Sequence, residues 1–227
     1  MGDADIAAVA ALIGDRTRAR FLHELLGGEG RRASELASTA GVSRSTASFH
    51  LGRLLAANLV EVRVHGGRRS YRLAGPEVAR AIESLQRIAP RQTVRSLRAA
   101  STAHALDCAR FCYDHLAGRL AIELVDAMTT TGLLTFTNDH FELTEQGISW
   151  FRDLGIDIDA LRAARRSFAR ACLDWSERRP HLAGATGAAL AGRFIELGWI
   201  ERAAHSRAVT LTPTGRIQLH RTLGIKI

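Results

Sequence analysis

The turn Gly41-Val42-Ser43 constrains the fold of this chain more than any other feature, because it lies between two helical patterns. Glycine tolerates the left-handed backbone of a tight turn, and serine can cap the helix that begins after it. A short helix of residues 34–40 is expected before the turn, and the helix after it has one shared face. That face is formed by Ala47, Leu51, Leu54 and Asn58. The pattern predicts a helix-turn-helix.

The second helix of this motif also carries small, polar and basic side chains away from its shared face. Arginine and short hydroxyl side chains reach base edges and phosphates in the major groove of DNA, where larger side chains would hold the backbone away. We therefore predict that this helix contacts duplex DNA. Its candidate contact residues are Arg44, Ser45, Thr46, Ser48, Phe49 and Arg53.

Two β-rich runs, residues 59–65 and 69–73, follow the second helix and are joined through Gly66-Gly67. They predict a β-hairpin wing, whose candidate contacts to DNA are Arg63, Arg68 and Arg69. The charge distribution supports this: residues 1–105 contain 16 arginines and 9 acidic residues, an excess of 7 in a net charge of +8. A polyanion is therefore expected to bind the N-terminal half.

Three segments of this half, DRTRARFLHELL, ASELASTAGVSRSTASFHLGRLLAANLVEV and HGGRRSYRL, carry a family resemblance. They resemble the ArsR family of winged-helix repressors over about the first 90 residues. The resemblance implies homodimers that pair through their first and last helices and leave DNA when an effector binds. It also places Arg44, Ser45, Ser48 and Phe49 at base-reading positions, and Arg68 and Arg69 in the wing. Phe49 departs from the polar residue usual in the family.

Two regions in which the family holds metals are different here. The best-known family sites have Cys-x-Cys in the third helix or Asp and His pairs in the last helix. The matching stretches of this chain read ASELASTAG and PEVARAIESLQ, so neither site is present and any sensing chemistry is expected elsewhere. The last helix instead has an apolar stripe that would suit a partner helix, formed by Val78, Ala81, Ile82, Leu85 and Ile88.

The C-terminal half repeats itself. CYDHLAG at 112–118 returns as CLDW from Cys172 and HLAG at 181–184, and ELTEQG at 142–147 returns as TLTPTG at 210–215. Since the offsets of 60, 66 and 68 residues keep a consistent order, we predict two related halves, about 107–157 and 165–227. Each half is expected to contain a long helix, at 116–128 or 182–197, then a short hairpin and a closing helix.

The repeat places cysteine, aspartate and histidine at matching positions. The candidate sensor residues are Cys112, His115, Cys172, Asp174 and His181. Two thiolates and two imidazoles would form a tetrahedral site suited to zinc, and thiolates would also attract another thiophilic metal or metalloid, such as arsenite. Cys108 could supply a further thiol one helical turn from Cys112. Thiol oxidation, an organic effector, or a structural role for buried cysteines and helix-bridging histidines are open alternatives.

These patterns predict a mainly α fold with small β-hairpins. We expect a winged helix-turn-helix domain for DNA binding and dimerisation at 1–91, a helical linker at 92–106 and an α-rich sensing or dimerisation domain at 107–227. The sequence has no apolar stretch long enough to span a bilayer and no recognisable secretory signal. A cytoplasmic location without membrane contact is therefore expected.

The predicted function is sequence-specific binding of double-stranded DNA by a homodimeric transcriptional repressor. A small effector, or a thiol or metal signal sensed in the C-terminal domain, would release it from its operator. One alternative is a thiol- or metal-dependent enzyme, which we do not expect. The sequence has no phosphate loop, dinucleotide fingerprint or Gly-x-Ser-x-Gly motif, and Cys-Tyr-Asp-His within one helix would point its side chains in different directions. The other alternative is a ligand-free architectural DNA-binding protein, which would show no operator preference.

Overall fold

The computed structural model describes residues 3–90, 93, 96–204 and 206–226. The chain divides into two compact units, Met1–Ala89 and Pro90–Ile227. Part of the predicted linker at 92–106, namely residues 92, 94 and 95, lies outside the described residues, and the predicted domain boundaries stay predictions. None of the described helices is long and apolar enough to cross a membrane.

The described part of the N-terminal unit consists of four helices, a hairpin and a last helix. Its elements are α1 (Ile6–Ile13), α2 (Arg16–Leu25), α3 (Ala33–Ala40), α4 (Arg44–Ala56), β1 (Val60–His65), β2 (Arg68–Leu73) and α5 (Pro76–Ile88). Helix α4 packs against both α2 and α3, and apolar side chains of α2 and α4 are fully buried there. These side chains are Phe21, Leu22, Leu25, Ala47, Leu51 and Leu54. The expectation that Asn58 belongs to the shared face of this helix is wrong, because Asn58 lies beyond the end of α4, is exposed and has a φ of 54°.

The C-terminal unit alternates helices with short antiparallel hairpins. Its elements are α6 (Leu97–Cys108), β3 (Arg110–Cys112), β4 (His115–Ala117), α7 (Arg119–Thr130), β5 (Leu134–Thr137), β6 (His140–Leu143), α8 (Glu145–Asp153), α9 (Ile158–Ala163), β7 (Arg170–Leu173), β8 (Pro180–Ala183), α10 (Gly184–Glu196), β9 (Ile200–Arg202), β10 (Val209–Leu211) and α11 (Pro213–Leu223). Each hairpin pairs two consecutive strands. The predicted mainly α fold with small hairpins is confirmed.

One hydrophobic core joins the elements of the C-terminal unit. Apolar side chains from both long helices, Leu120 and Leu124 of α7 and Leu190 and Phe194 of α10, belong to it together with Phe111 of β3. Strand β4 contacts both α10 and β8, and α7 also contacts β8. The hairpins β3–β4 and β7–β8 therefore meet next to the long helices, and this meeting point is where the cysteines and histidines of the repeat lie.

Three expectations for the C-terminal unit are wrong. The long helices begin at Arg119 and Gly184, because the residues before them form β4 and β8. Cys-Tyr-Asp-His does not lie in a helix, since Cys112 and His115 pair as strand residues across a turn in which Tyr113 has a φ of 63°. Cys108 ends α6 whereas Cys112 lies in β3, so the two thiols are not one helical turn apart.

The order hairpin, helix, hairpin, helix occurs twice, from β3 to α8 and from β7 to α11. Matching residues make matching contacts: the hydroxyl of Thr144 accepts a hydrogen bond from the N–H of Gly147, and that of Thr212 accepts one from Gly215. A Cβ added to Gly147 or Gly215 would lie 2.0 or 2.1 Å from a backbone carbonyl oxygen. The interpretation as two related halves stays a prediction, and these contacts support it.

Candidate functional site

The N-terminus of α4 has the geometry of the predicted helix-turn-helix. Gly41 has a left-handed backbone with a φ of 70°, and the Ser43 hydroxyl caps α4 by accepting a hydrogen bond from the N–H of Thr46 at 3.1 Å. The same hydroxyl lies 2.8 Å from the hydroxyls of Ser45 and Thr46. These bonds order the first turn of α4, so the exposed side chains on that turn start from a defined backbone.

The predicted groove-facing residues lie on the exposed side of α4, except for Thr46, which is half-buried. The exposed ones are Arg44, Ser45, Ser48, Phe49 and Arg53. The guanidinium carbon of Arg53 lies 5.5 Å from the centre of the Phe49 ring, which is a cation–π distance. Phe49 therefore helps to orient Arg53. This contact is a local role for the phenylalanine that stands where the family usually has a polar residue.

The wing presents positive charge at its exposed end. The turn residues Gly66 and Gly67 have φ values of 55° and 74°, which glycine adopts without strain. The exposed arginines of the wing are Arg63, Arg68 and Arg69. The Nε atom of Arg63 lies 3.3 Å from the carboxylate of Glu61, which also binds Arg72, and the hydrogen bond from Arg72 lowers the pKa of Glu61. Part of the charge of Arg63 is therefore neutralised within the wing.

Four residues of the C-terminal unit form a cysteine–histidine cluster: Cys112, His115, Cys172 and His181. Hairpin β3–β4 places Cys112 opposite His115, and hairpin β7–β8 places Cys172 opposite His181. One potential ligand atom of each residue lies within 4.8 Å of all the others. The two sulfur atoms are 3.8 Å apart, and the two Nε2 atoms are 3.2 Å apart. The structure thus brings together four of the five predicted sensor residues.

The cluster is closed to solvent. The exposed fraction is 6% for each cysteine, 2% for His115 and 1% for His181. Hydrogen bonding with Cys112 lowers the pKa of Cys172 far below its usual range, although burial opposes this shift, and both histidines add to it. Burial lowers the pKa of His181. The two shifts have different causes, since hydrogen bonding favours the charged form of Cys172 and burial disfavours the charged form of His181.

A carboxylate lies behind each histidine of the cluster. The Nδ1 atom of His115 is 3.2 Å from Asp114, and that of His181 is 3.7 Å from Asp174. The oxygens of Asp174 accept hydrogen bonds from Arg110 at 2.7 and 2.8 Å and from the N–H of Gly118 at 2.7 Å. Asp174 therefore lies behind the clustered ligand atoms rather than among them, and its role in sensing stays a prediction.

Arg110 was not among the residues predicted from the sequence; it is 1% exposed and forms a buried ion pair with Asp174. Burial alone would raise the pKa of Asp174, but the charge of Arg110 and hydrogen bonds from Ser176 and Gly118 hold it below its usual value. The guanidinium carbon of Arg110 also lies 4.5 Å from the centre of a Trp175 ring. The repeat contained a signal for this residue, because an arginine precedes both cluster cysteines by two positions.

Comparisons with known proteins agree with the helix-turn-helix found in the N-terminal unit. A family model described as a helix-turn-helix domain matches residues 13–63. The HTH-type transcriptional regulator YdfF of Bacillus subtilis (strain 168) is 42% identical over 223 residues, which are 98% of this chain and 99% of the relative. This chain belongs to the HTH-type transcriptional regulators. The regulator binds DNA, and the prediction of a helix-turn-helix transcriptional regulator is confirmed.

Two mycobacterial proteins match smaller parts of the regulator. The HTH-type transcriptional regulator Rv0324 of Mycobacterium tuberculosis (strain ATCC 25618 / H37Rv) is 36% identical over 84 residues, 37% of this chain and 37% of the relative. The homodimeric winged helix-turn-helix domain of Mb0332 from Mycobacterium bovis, described as a possible ArsR-family regulator, is 32% identical with a TM-score of 0.33. That match covers 37% of this chain and 85% of the other. The family assignment rests on YdfF, whose match runs through both units.

Proposed function

We propose that the regulator is a homodimeric repressor that recognises a specific operator with α4 and the β1–β2 wing. A small effector, or a thiol or metal signal in the C-terminal unit, releases it from DNA. The observation that carries the proposal is the exposed polar and basic side of α4, directly after a glycine turn and a serine cap. In this proposal the regulator acts in the cytoplasm, as its bacterial relatives would on their own chromosomes.

The two parts of the DNA interface have different roles in this proposal. Arg44, Ser45 and Ser48 are exposed in the first turns of α4, and short hydroxyl side chains allow the helix backbone to approach base edges. Arg68 and Arg69 lie next to the glycine turn of the wing, where they reach phosphates. Base contacts discriminate between sequences, whereas phosphate contacts hold any duplex.

The dimer is proposed to form through α1 and α5. Both helices leave large apolar side chains exposed: Ile6 at 76%, Val9 at 41%, Leu85 at 40% and Ile88 at 80%. Exposed apolar patches of this kind mark interaction surfaces. A second copy of the chain would remove these side chains from water, as the resemblance to the ArsR family implies.

The experiment compares Arg44→Ala with Arg68→Ala on an operator selected from a random duplex library. Arg44→Ala is expected to lower discrimination between operator and random DNA by about 1–3 kcal/mol, since a base contact is lost. Arg68→Ala is expected to weaken binding to both duplexes and to reduce the slope of log K against log salt by about 1. Fluorescence anisotropy across a salt series measures both quantities.

The matched control is Arg152→Ala, an exposed arginine of α8 that lies outside the N-terminal unit. It should leave both the affinity and the salt slope unchanged. If Arg44→Ala weakened operator and random DNA equally, the assignment of α4 as the base-reading helix would be wrong. If the wild-type protein selected no operator, the alternative of an architectural DNA-binding protein would replace the repressor.

We infer that the cysteine–histidine cluster does not make the protein an enzyme. A catalytic thiolate must meet a substrate, and no cluster residue exposes more than 6% of its surface. Burial with four converging donor atoms suits a bound ion or a structural contact better than nucleophilic chemistry. Rapid alkylation of Cys112 or Cys172 in the folded protein would argue against this inference.

A further inference from the structure

We propose that the cysteine–histidine cluster binds one Zn²⁺ ion in a closed tetrahedral site that joins the hairpins β3–β4 and β7–β8. The site itself is independent of DNA binding, and its use in regulation rests on the function proposed above. Four lines of observation support it: the distances between the ligand atoms, the orientation of the histidines, the types of donor, and the chain segments that supply them.

The two sulfurs and the two Nε2 nitrogens each have the spacing that a tetrahedral zinc site requires. In a tetrahedron two ligand atoms are separated by about 1.6 times the metal–ligand distance, so Zn–S bonds of about 2.3 Å require sulfurs about 3.8 Å apart. Zn–N bonds of about 2.0–2.1 Å require nitrogens about 3.3 Å apart. The sulfur atoms of the cluster are 3.8 Å apart and its Nε2 atoms are 3.2 Å apart. All four ligand atoms lie within 4.8 Å of one another, so a bound ion would need to bring together only those pairs that are farther apart than in a tetrahedral site.

The orientation of His115 is that of a metal ligand. The two Nε2 atoms face each other, and Nδ1 of His115 lies 3.2 Å from the Asp114 carboxylate, whereas Nδ1 of His181 lies 3.7 Å from Asp174, beyond hydrogen-bond distance. A carboxylate favours the tautomer with a proton on Nδ1, which leaves a lone pair on Nε2. This tautomer of His115 points the Nε2 lone pair into the cluster, where Nε2 of His181 lies 3.2 Å away, at the spacing of a second nitrogen ligand. Asp114 is in the position that a carboxylate commonly occupies behind a zinc-bound histidine.

The donor set favours Zn²⁺ over other outcomes for two buried thiols. Two thiolates with two imidazoles form a common structural zinc set, and all four positions are occupied by protein, as in closed structural sites. A disulfide needs sulfurs about 2.0 Å apart, so Cys112 and Cys172 would have to move closer together from 3.8 Å. A disulfide would also leave the two Nε2 atoms facing each other. A thiophilic metalloid held by thiolates would likewise make no use of the imidazoles.

The two hairpins that supply the ligands are far apart in the chain. Cys112 and His115 come from one hairpin, and Cys172 and His181 from the other; the two cysteines are 60 residues apart in the sequence and the two histidines 66. An ion bound to all four residues would cross-link these hairpins. Because the unfolded chain does not hold the four ligands together, binding would stabilise the folded C-terminal unit. Occupancy of the site would thus be coupled to the order of that unit.

The test measures zinc in the full-length protein, purified under reducing conditions. Wild type is expected to contain one zinc ion per chain by elemental analysis, and its Co²⁺ form should show the absorption of a tetrahedral thiolate site. The Cys112→Ser and Cys172→Ser double variant should lose at least about 10-fold in zinc content. Cys108→Ser is the matched control, since this half-buried cysteine lies outside the cluster, and it should keep the full content.

Two further variants keep the test decisive if the double variant fails to fold. His181→Cys replaces one zinc donor by another, so it should retain zinc and strengthen the thiolate-to-Co²⁺ absorption. Asp114→Asn, whose side chain is 29% exposed, removes a carboxylate behind His115 and should weaken zinc affinity by about 10–100-fold. A competition titration of the metal-free wild type with a chromogenic chelator provides the reference affinity.

The proposed site would be wrong if metal-free wild-type protein took up no zinc, or if the double variant kept its zinc content. It would also be wrong if the intact mass of protein purified without reductant showed a Cys112–Cys172 disulfide. Operator binding separates this inference from the proposed function. Zinc bound at the cluster in a protein that selects no operator would refute the repressor alone, whereas operator binding by a wild type without zinc affinity would refute the zinc site alone.

Discussion

Replacing Asp174 by alanine removes the carboxylate that holds Arg110 in the interior of the C-terminal unit. Arg110 and Asp174 expose 1% and 0% of their side chains, and both Asp174 oxygens accept hydrogen bonds from the guanidinium. Asp174 also accepts hydrogen bonds from backbone N–H groups of Gly118, Ser176 and Glu177. After the substitution, a buried positive charge and three backbone donors would lose their acceptor.

The expected loss follows from this burial. Removing one partner of a buried ion pair costs about 3–5 kcal/mol, because the remaining charge stays buried without compensation. An exposed pair in the same unit serves as the control: Asp126 and Arg179 expose 49% and 54% of their side chains. Such surface pairs contribute about 0–1 kcal/mol, so Asp126→Ala should have little effect on stability.

Urea unfolding followed by tryptophan fluorescence measures the difference. All three tryptophans, Trp150, Trp175 and Trp199, belong to the C-terminal unit, so the signal reports that unit and not the DNA-binding unit. A chelator is included so that no bound metal contributes to the free energy of unfolding. If Asp174→Ala and Asp126→Ala lowered that free energy by the same small amount, the reasoning about the buried pair would be refuted.

Two other substitutions test the dimer surface and the packing of the C-terminal unit. Ile88→Glu places a charge on the exposed apolar face of α5 and should convert the dimer to monomers in sedimentation velocity, whereas Ile217→Glu, at a 65% exposed position on α11, should not. The opposite pattern would move the dimer interface to the C-terminal unit. Gly147→Ala brings a Cβ within 2.0 Å of the Leu133 carbonyl oxygen and should cost at least about 1–3 kcal/mol of stability. Gly192→Ala meets no atom within 4 Å inside α10 and should stabilise by about 0.5–1 kcal/mol, and equal urea midpoints for the two variants would contradict the packing argument.

The helix-turn-helix could be predicted from the sequence because each of its signals is local. The left-handed turn needs the glycine at position 41. The cap of α4 needs a side-chain oxygen three residues before the backbone N–H that donates a hydrogen bond to it. The hairpins around the cluster could not be predicted in the same way. Strand β3 has three residues, all buried, so it has no alternation of apolar and polar residues that would distinguish it from a helix.

The repeat in the C-terminal half was sufficient to place Cys112 and Cys172 at matching positions, and the structure brings their sulfurs to 3.8 Å. The sequence alone left open whether these cysteines are ligands, redox thiols or core residues, since that depends on what surrounds them. The two histidine rings that face each other, and each aspartate and the arginine that it binds, come from segments more than 50 residues apart. Contacts at such a separation have no local sequence signal.

Asp114 and Asp174 show most directly where the information in the sequence ends. The local sequence places both aspartates at the same position of the repeated motif, and each precedes the histidine of its own copy. The tertiary structure decided that Asp174 is buried against Arg110, whereas Asp114 pairs with Arg166 near the surface. The physical reason is that the energy of a charge depends on its burial and on partners brought together by folding, and neither quantity is encoded within a few residues of the carboxylate.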